Sequence, residues 1–270
     1  KTLMEQSHYS RSVWAEFIEL TLDGQSLDDC AEKFGFSHQT AFNMRHKFLL
    51  ALQDFLKHNP ATLSGISEFD ETFVLESNEA FYEMYPFRFR FSIRYYLEEC
   101  TLHAEMKVEN LDEKAMHFGL GGHPGINVPL EDGLCFEDYF LEFPEAHLRR
   151  VEFTPACFIT GKEDPFPLEN NRLSLSHNMF DDDAIVLKGV PGEVTLRSEK
   201  GSHAVTLIAK DLPVYGFWHM PKTDAPYICL EPWSSLPSRQ DVVEDFGCKS
   251  DMIQLPPRKT YENQWYITVF

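Results

Sequence analysis

Residues 87–95 read Phe-Arg-Phe-Arg-Phe-Ser-Ile-Arg-Tyr, and this run decides the fold class. Apolar side chains such as Phe89 and Phe91 alternate with polar ones such as Arg90 and Arg94. Because successive side chains of an extended chain point to opposite faces, the apolar set would lie on one face and the basic set on the other. The run therefore predicts a half-buried β-strand.

The same alternation continues towards the C-terminus. A turn at Glu98 and Glu99 precedes an alternating run over 102–108, which predicts an antiparallel partner, and a third run over 116–120 leads into a glycine-rich loop. Clusters of Pro, Gly, Asn and Asp separate the further strand candidates, which are 139–143, 184–188, 193–198, 204–209, 227–230 and 264–269. Many short strands without a strong helix predict a mainly β protein, an antiparallel β-sandwich.

The N-terminal part has helical periodicity instead. Ser26 is suited to cap a short helix over 27–34 that ends at Gly35, and Ser37 is suited to cap a longer helix that must end before Pro60. A helix, a tight glycine turn and a second helix form the helix-turn-helix pattern. Two packed helices without any DNA-binding role have the same pattern.

The charge of the chain limits its partners. Its 270 residues carry 24 Lys or Arg against 43 Asp or Glu, a formal net charge of −19 at pH 7. Such an excess repels phosphate backbones and anionic membrane surfaces. The sequence has no apolar run close to the roughly 20 residues that span a bilayer and no secretory signal pattern at its start. We therefore expect a cytoplasmic protein that does not bind membranes.

DNA binding would need a local exception to this charge. Arg45 and Lys47, on the longer helix that follows Ser37, are the candidate phosphate contacts. Residues 1–77 nevertheless hold six Lys or Arg against twelve Asp or Glu, which is a poor electrostatic match for DNA. The balance argues against DNA as a partner.

The cysteines are spread along the chain without a CxxC pair, at Cys30, Cys100, Cys135, Cys157, Cys229 and Cys248. Scattered thiols of this kind indicate neither a zinc site nor a disulfide framework. We expect reduced thiols and no bound metal.

The loop 121–130, Gly-Gly-His-Pro-Gly-Ile-Asn-Val-Pro-Leu, is the strongest candidate for a functional site. His123 can exchange a proton near neutral pH, the glycines let a ligand approach the backbone, and Asn127 adds a polar amide. A tight turn between strands with a structural histidine is the alternative interpretation.

Further side chains could hold a sugar. Asp182 and Asp183 belong to a run of three aspartates, and Glu231 precedes Pro232 and Trp233. Carboxylates bind vicinal hydroxyls, and the face of Trp218 could cover the C–H side of a pyranose. The alternatives are a solvated turn for the aspartates and core positions for the tryptophans.

From about residue 78 to 270 the chain resembles aldose 1-epimerase, or galactose mutarotase, of the LacX-type branch. The matching segments are 85–87, 121–130, 136–143, 180–189 and 225–233. The resemblance implies a mutarotase-like β-sandwich without its first strands, an aldohexose or its phosphate as partner, and no cofactor. It implies His123 as the catalytic acid, and its sugar-binding positions fall on Asn127, Asp182, Asp183, Trp218 and Glu231. The family's catalytic glutamate would fall on Lys259, and its first active-site histidine has no match.

Residues 11–77 resemble a bacterial insertion-sequence transposase. The motifs lie at 14–17, 22–27, 40–42, 45–47 and 68–72, and Asp70 takes the position of the first of three acidic metal ligands. Two-metal chemistry needs several carboxylates, and the other two have no match. The resemblance implies a boundary between a helical fragment, 1–77, and a β domain, 78–270.

These observations leave three functional hypotheses. The first is an aldose 1-epimerase that interconverts sugar anomers by histidine-based acid/base ring opening, with activity weakened or lost through the missing strands. The second is a non-catalytic sugar-binding and DNA-binding fusion. The third is a non-functional fusion product, whose missing strands would expose a sheet edge through which two copies could form a homodimer.

Overall fold

The structure is a computed structural model, and it describes residues 9–22, 25–58, 70–243, 245–249 and 251–270. The chain divides into two compact units, Lys1–Ile66 and Ser67–Phe270. The division falls before the boundary expected at residue 77, because residues 70–76 form a strand of the β unit. Among the described helices, none combines the length and hydropathy that a membrane crossing needs.

The described residues of the first unit form three helices, α1 (Arg11–Leu22), α2 (Leu27–Phe34) and α3 (His38–His58). Ser26 caps α2 as predicted: its hydroxyl accepts from the Asp29 N–H at 3.0 Å, and the Asp29 carboxylate accepts in return from the Ser26 N–H. Gly35 ends the helix with φ 66°, a left-handed conformation that favours glycine. The core of this unit consists of Trp14, Phe17, Cys30, Ala31, Ala41 and Met44.

The described residues of the second unit form sixteen strands, one short α-helix, α4 (Glu79–Met84), and two 3-10 helices, Phe136–Asp138 and His177–Phe180. The strands are β1 (Asp70–Glu76), β2 (Phe89–Glu98), β3 (Thr101–Asn110), β4 (Met116–Phe118), β5 (Gly125–Asn127), β6 (Tyr139–Glu142), β7 (Arg149–Phe153), β8 (Ile159–Pro165), β9 (Arg172–Ser174), β10 (Ile185–Lys188), β11 (Glu193–Ser198), β12 (Ala204–Ile208), β13 (Val214–Trp218), β14 (Tyr227–Trp233), β15 (Ile253–Leu255) and β16 (Thr260–Val269).

Two large antiparallel sheets form the unit. The eight-stranded sheet has the order β1-β2-β3-β16-β12-β11-β6-β9, and the six-stranded sheet has the order β5-β14-β13-β10-β7-β8. A further pair joins β15 to β4. The described strands therefore confirm a mainly β, antiparallel fold.

The alternating run over 87–95 forms β2, as predicted. It pairs with β3 along its full length, from Phe89 opposite Asn110 to Glu98 opposite Thr101. On β3, Ala104 and Met106 are buried while their neighbours are partly exposed. The period-two pattern therefore identified both the strand and its buried face.

The core lies between the two sheets. Leu196 and Leu207 of the eight-stranded sheet belong to the same buried cluster as Leu187 and Phe217 of the six-stranded sheet, and all four side chains are fully buried. Burying each such side chain stabilises the fold by roughly 1.5–3 kcal/mol. Packing of two sheets through one shared core confirms the sandwich.

The strand β1 was not predicted. All its residues are exposed, and it pairs with β2 on one side only, so it forms an edge of the eight-stranded sheet. Its Asp70, expected from the transposase resemblance at a metal-ligand position, instead accepts two hydrogen bonds from Arg94, at 2.9 and 2.6 Å. The side chain is thus a cross-strand ion-pair partner, because the register of β1 with β2 brings the two residues together.

Candidate active site

Strand β14 forms the floor of the candidate site. It lies between β13 and β5, and its residues alternate between two faces. Ile228 and Leu230 point into the core, where both are fully buried. Cys229, Glu231 and Trp233 therefore share the opposite face.

The glycine loop runs alongside β14 and positions His123. The Gly122 N–H donates to the Pro232 carbonyl at 3.0 Å, and the Leu230 N–H donates to the Pro124 carbonyl at 3.0 Å. A Cβ at Gly122 would lie 2.7 Å from the Trp265 ring, so a larger residue could not approach this closely. The loop thus places His123 beside Glu231.

His123 and Glu231 form the central pair. The histidine Nε2 lies 3.2 Å from the glutamate Oε1; the His123 side chain is 61% exposed, and that of Glu231 is only 5% exposed. Burial raises the pKa of the Glu231 carboxyl above its usual range, the charge of His123 opposes this shift, and the charge of Asp183 adds to it. A buried carboxylate therefore faces a solvent-accessible imidazole.

The aspartate run lines the same cleft as this pair and follows directly after a short 3-10 helix over His177–Phe180. Phe180 is fully buried and anchors the segment, and Asp181 accepts from the Lys222 N–H at 3.1 Å. Asp183 has φ 89°, a conformation that side-chain-bearing residues rarely adopt. Strained backbone of this kind clusters at functional sites.

These residues enclose one cleft of about 980 Å³. Five of the six predicted sugar-site residues line it, namely His123, Asp182, Asp183, Trp218 and Glu231. The Trp218 ring lies edge-on to the His123 ring, with 6.1 Å between the centroids. The volume is at the upper end of the range for small-molecule sites, about 300–1,000 Å³.

Comparison with known proteins decides the family. The profile described as Aldose 1-epimerase matches residues 30–249. The chain belongs to the aldose 1-epimerase family. It is 31% identical to the chromosomal LacX protein of Lactococcus lactis subsp. lactis over 226 residues, which cover 82% of this chain and 75% of that protein.

Solved structures of related proteins share the fold. A galactose mutarotase-related enzyme from Lactobacillus acidophilus is 30% identical, with a TM-score of 0.69, over 77% of this chain and 70% of that one. A galactose mutarotase-like protein from Lactobacillus casei is 28% identical, with a TM-score of 0.68, over 77% of this chain and 72% of that one. The aldose 1-epimerase match begins inside the segment 11–77, and these comparisons give no support to a transposase fusion.

Two residues considered from the sequence lie outside the cleft of this aldose 1-epimerase-like chain. Asn127 is exposed at the end of β5, opposite Tyr227, and it is not among the residues that line the cleft. Lys259 is exposed in the turn before β16 and is likewise not among them. The resemblance placed the family's catalytic glutamate position on Lys259, but the structure puts the carboxylate of Glu231 next to His123 instead.

The predicted DNA contacts lie in the helical unit. Arg45 donates to the Gln25 carbonyl at 2.5 Å and to the Cys30 sulfur at 3.7 Å, whereas Lys47 is exposed. The Arg45 guanidinium is therefore engaged within its own unit, and a role in DNA binding remains a prediction.

Sequence reasoning missed one neighbour of the central pair, Cys229, and several residues that line the cleft. Cys229 lies two residues before Glu231, so the period of two in a strand could have placed both on one face. Thr154, Cys157 and Lys222 reach the cleft from loops, and no sequence motif marks them. In the sequence Cys229 is one of several scattered thiols. Its nearness to His123 is not visible there, because the two residues are distant in the chain.

Proposed function

We propose that the cleft binds an aldose and interconverts its two anomers, with Glu231 as the base and His123 as the acid. The observation that carries the proposal is the 3.2 Å contact between the buried Glu231 carboxylate and the exposed His123 imidazole, at the wall of the 980 Å³ cleft. Family membership supports the same activity.

The geometry of the pair suits ring opening. The hydroxyl O1 and the ring oxygen O5 are both bonded to the anomeric carbon, so two groups in contact with each other can reach both. Glu231 takes the proton of O1–H while protonated His123 gives a proton to O5, and the bond from the anomeric carbon to O5 breaks. The product is the open-chain aldehyde; rotation about its C1–C2 bond and the reverse transfers close the other anomer and restore both groups.

The environment of Glu231 strengthens it as a base. Removal of the carboxylate from water raises its pKa, and a base works best when its pKa approaches the working pH. The charge of His123 limits the rise. Burial and the partner together therefore set the strength of the base.

The remaining walls indicate the substrate. Asp182 and Asp183 can accept hydrogen bonds from sugar hydroxyls, and the Trp218 ring can cover an apolar sugar face. Three aspartates and Glu231 outnumber Lys222, so the charge of the cleft disfavours a phosphate group. A neutral aldohexose therefore fits better than its phosphate.

Polarimetry of freshly dissolved α-glucose and α-galactose tests the proposal. Wild-type protein should accelerate the change in optical rotation, and His123→Ala should lose the acceleration. His147→Ala is a matched control, because His147 is exposed and does not line the cleft. A rate that is equal in the wild type and in His123→Ala would refute the assignment.

A further inference from the structure

Three metal-binding atom types meet where His123 and Glu231 line the cleft. The ring nitrogen of His123, the sulfur of Cys229 and a carboxylate oxygen of Glu231 all lie within 4.8 Å of one another. Cys229 and Glu231 are buried, and His123 is exposed towards the cleft. None of the acid/base steps of ring opening uses the Cys229 thiol.

The arrangement is built by the sheet rather than by flexible loops. Cys229 and Glu231 share one face of β14, whose neighbours on both sides are hydrogen-bonded strands. Cys229 lies opposite Gly125 of β5, which has no side chain. A Cβ at Gly125 would lie 3.8 Å from the Cys229 sulfur. Two of the three atoms are therefore held by a rigid frame, and the exposed imidazole can adjust to them.

We propose that His123, Cys229 and Glu231 form a site for one divalent cation of the zinc class. Zinc bonds of about 2.0–2.3 Å in a tetrahedron put neighbouring ligand atoms about 3.5 Å apart, so closure of this set needs shifts of about 1 Å. One nitrogen, one sulfur and one oxygen ligand suit Zn²⁺, Cd²⁺ or Co²⁺, whereas Mg²⁺ and Ca²⁺ require oxygen ligands. Binding releases the thiol proton to solvent, and the fourth position opens to the cleft.

Occupation of this site would block the proposed chemistry. The cation uses the same His123 Nε2 and Glu231 carboxylate that would act as acid and base, so metal and sugar exclude each other. This consequence rests on the proposed function, but the metal site itself does not. Zinc-class cations would act as reversible inhibitors, and a chelator would restore turnover.

Isothermal titration of the untagged 270-residue chain with ZnCl₂ tests the site without any activity measurement. Wild-type protein should bind one Zn²⁺ and should give a thiolate-to-metal absorption band when Co²⁺ replaces it. Cys229→Ser should abolish the band and raise the Zn²⁺ Kd at least about 100-fold, since even outer-shell partners change affinity 10–100-fold. His123→Asn, at an exposed position, should weaken binding without a risk to folding.

Cys157→Ser is the matched control, because this exposed thiol lines the same cleft and contacts Asp183 at 3.6 Å. It should retain wild-type Zn²⁺ affinity. The proposal fails if wild-type protein binds no stoichiometric Zn²⁺, or if Cys157→Ser loses the ion while Cys229→Ser keeps it. Polarimetry in the presence of EDTA reports the proposed epimerase activity separately, so that failure of one proposal is distinguishable from failure of the other.

Discussion

Replacement of Glu231 by glutamine should remove activity and yet stabilise the fold at neutral pH. Glutamine keeps the shape of the side chain but cannot take the proton of the anomeric hydroxyl. Loss of a general base typically costs 10²–10⁴-fold in rate, which corresponds to about 2.7–5.4 kcal/mol of transition-state stabilisation. The acceleration that remains should be the small one that sugar binding and acid catalysis by His123 provide without a base.

The effect on stability follows from the raised pKa of Glu231. The folded state holds this proton more tightly than the unfolded state, so the ionised side chain costs free energy at any pH above its folded pKa. The cost is about 1.4 kcal/mol for each pKa unit by which the folded value exceeds the unfolded one. In a domain as long as the β unit, this cost corresponds to a decrease of about 3–6 °C in Tm. Below the ordinary value of 4.5 both states are protonated and the cost disappears.

Thermal melts and polarimetry between pH 4 and pH 8 would measure both effects in wild type and in Glu231→Gln. The gain in Tm should be largest at the neutral end of this range and should vanish at its acidic end. Glu145→Gln is the control, because Glu145 is an exposed carboxylate outside the cleft. A variant that keeps its rate within a few-fold, or that melts below wild type at neutral pH, would contradict the reasoning.

Four further outcomes are expected. The acid limb of the wild-type pH–rate profile should lie above 4.5, because Glu231 must be ionised to act as a base; a limb at or below 4.5 would count against that role. His123→Ala should shift the acid limb of any residual rate to still higher pH, since the histidine charge lowers the Glu231 pKa. Asp183→Gly should relieve the strained φ of 89° and therefore raise the free energy of unfolding by about 1 kcal/mol, which thermal melts would measure. The KM for the sugar should increase in the same variant, which initial rates would measure. Leu207→Ala should lower the free energy of unfolding in urea by about 2–5 kcal/mol through the cavity it leaves between the sheets, and a loss below 1 kcal/mol would mean that the core is not shared.

Local signals predicted α2, α3 and nine of the sixteen described strands. Alternation over 87–95 and 102–108 predicted the hairpin of β2 and β3, because each side chain's burial depends only on which face of the strand it occupies. The serine and glycine flanking α2 predicted that helix for a similar reason, since caps act within one turn. The strand β1 escaped prediction, because an edge strand with every residue exposed has no burial pattern.

The sequence predicted the composition of the candidate site better than its arrangement. The resemblance to aldose 1-epimerases selected both residues, with His123 as the catalytic acid and Glu231 as a sugar-binding residue. It assigned the position of the family's catalytic glutamate to Lys259. Neither periodicity nor motif spacing relates Glu231 to the glycine loop. The relation depends on strand pairing, which no local pattern specifies.

By itself the sequence determined a mainly β, antiparallel protein with a small helical unit, and it determined His123 as the leading acid candidate. Only the tertiary structure decided that a buried carboxylate and a thiol lie beside that histidine. The physical reason is the pairing of β5 with β14: Ile228 and Leu230 must be buried in the core, and this requirement turns Cys229 and Glu231 towards His123. The pair is thus a product of long-range register, and its chemistry follows from the burial that this register imposes.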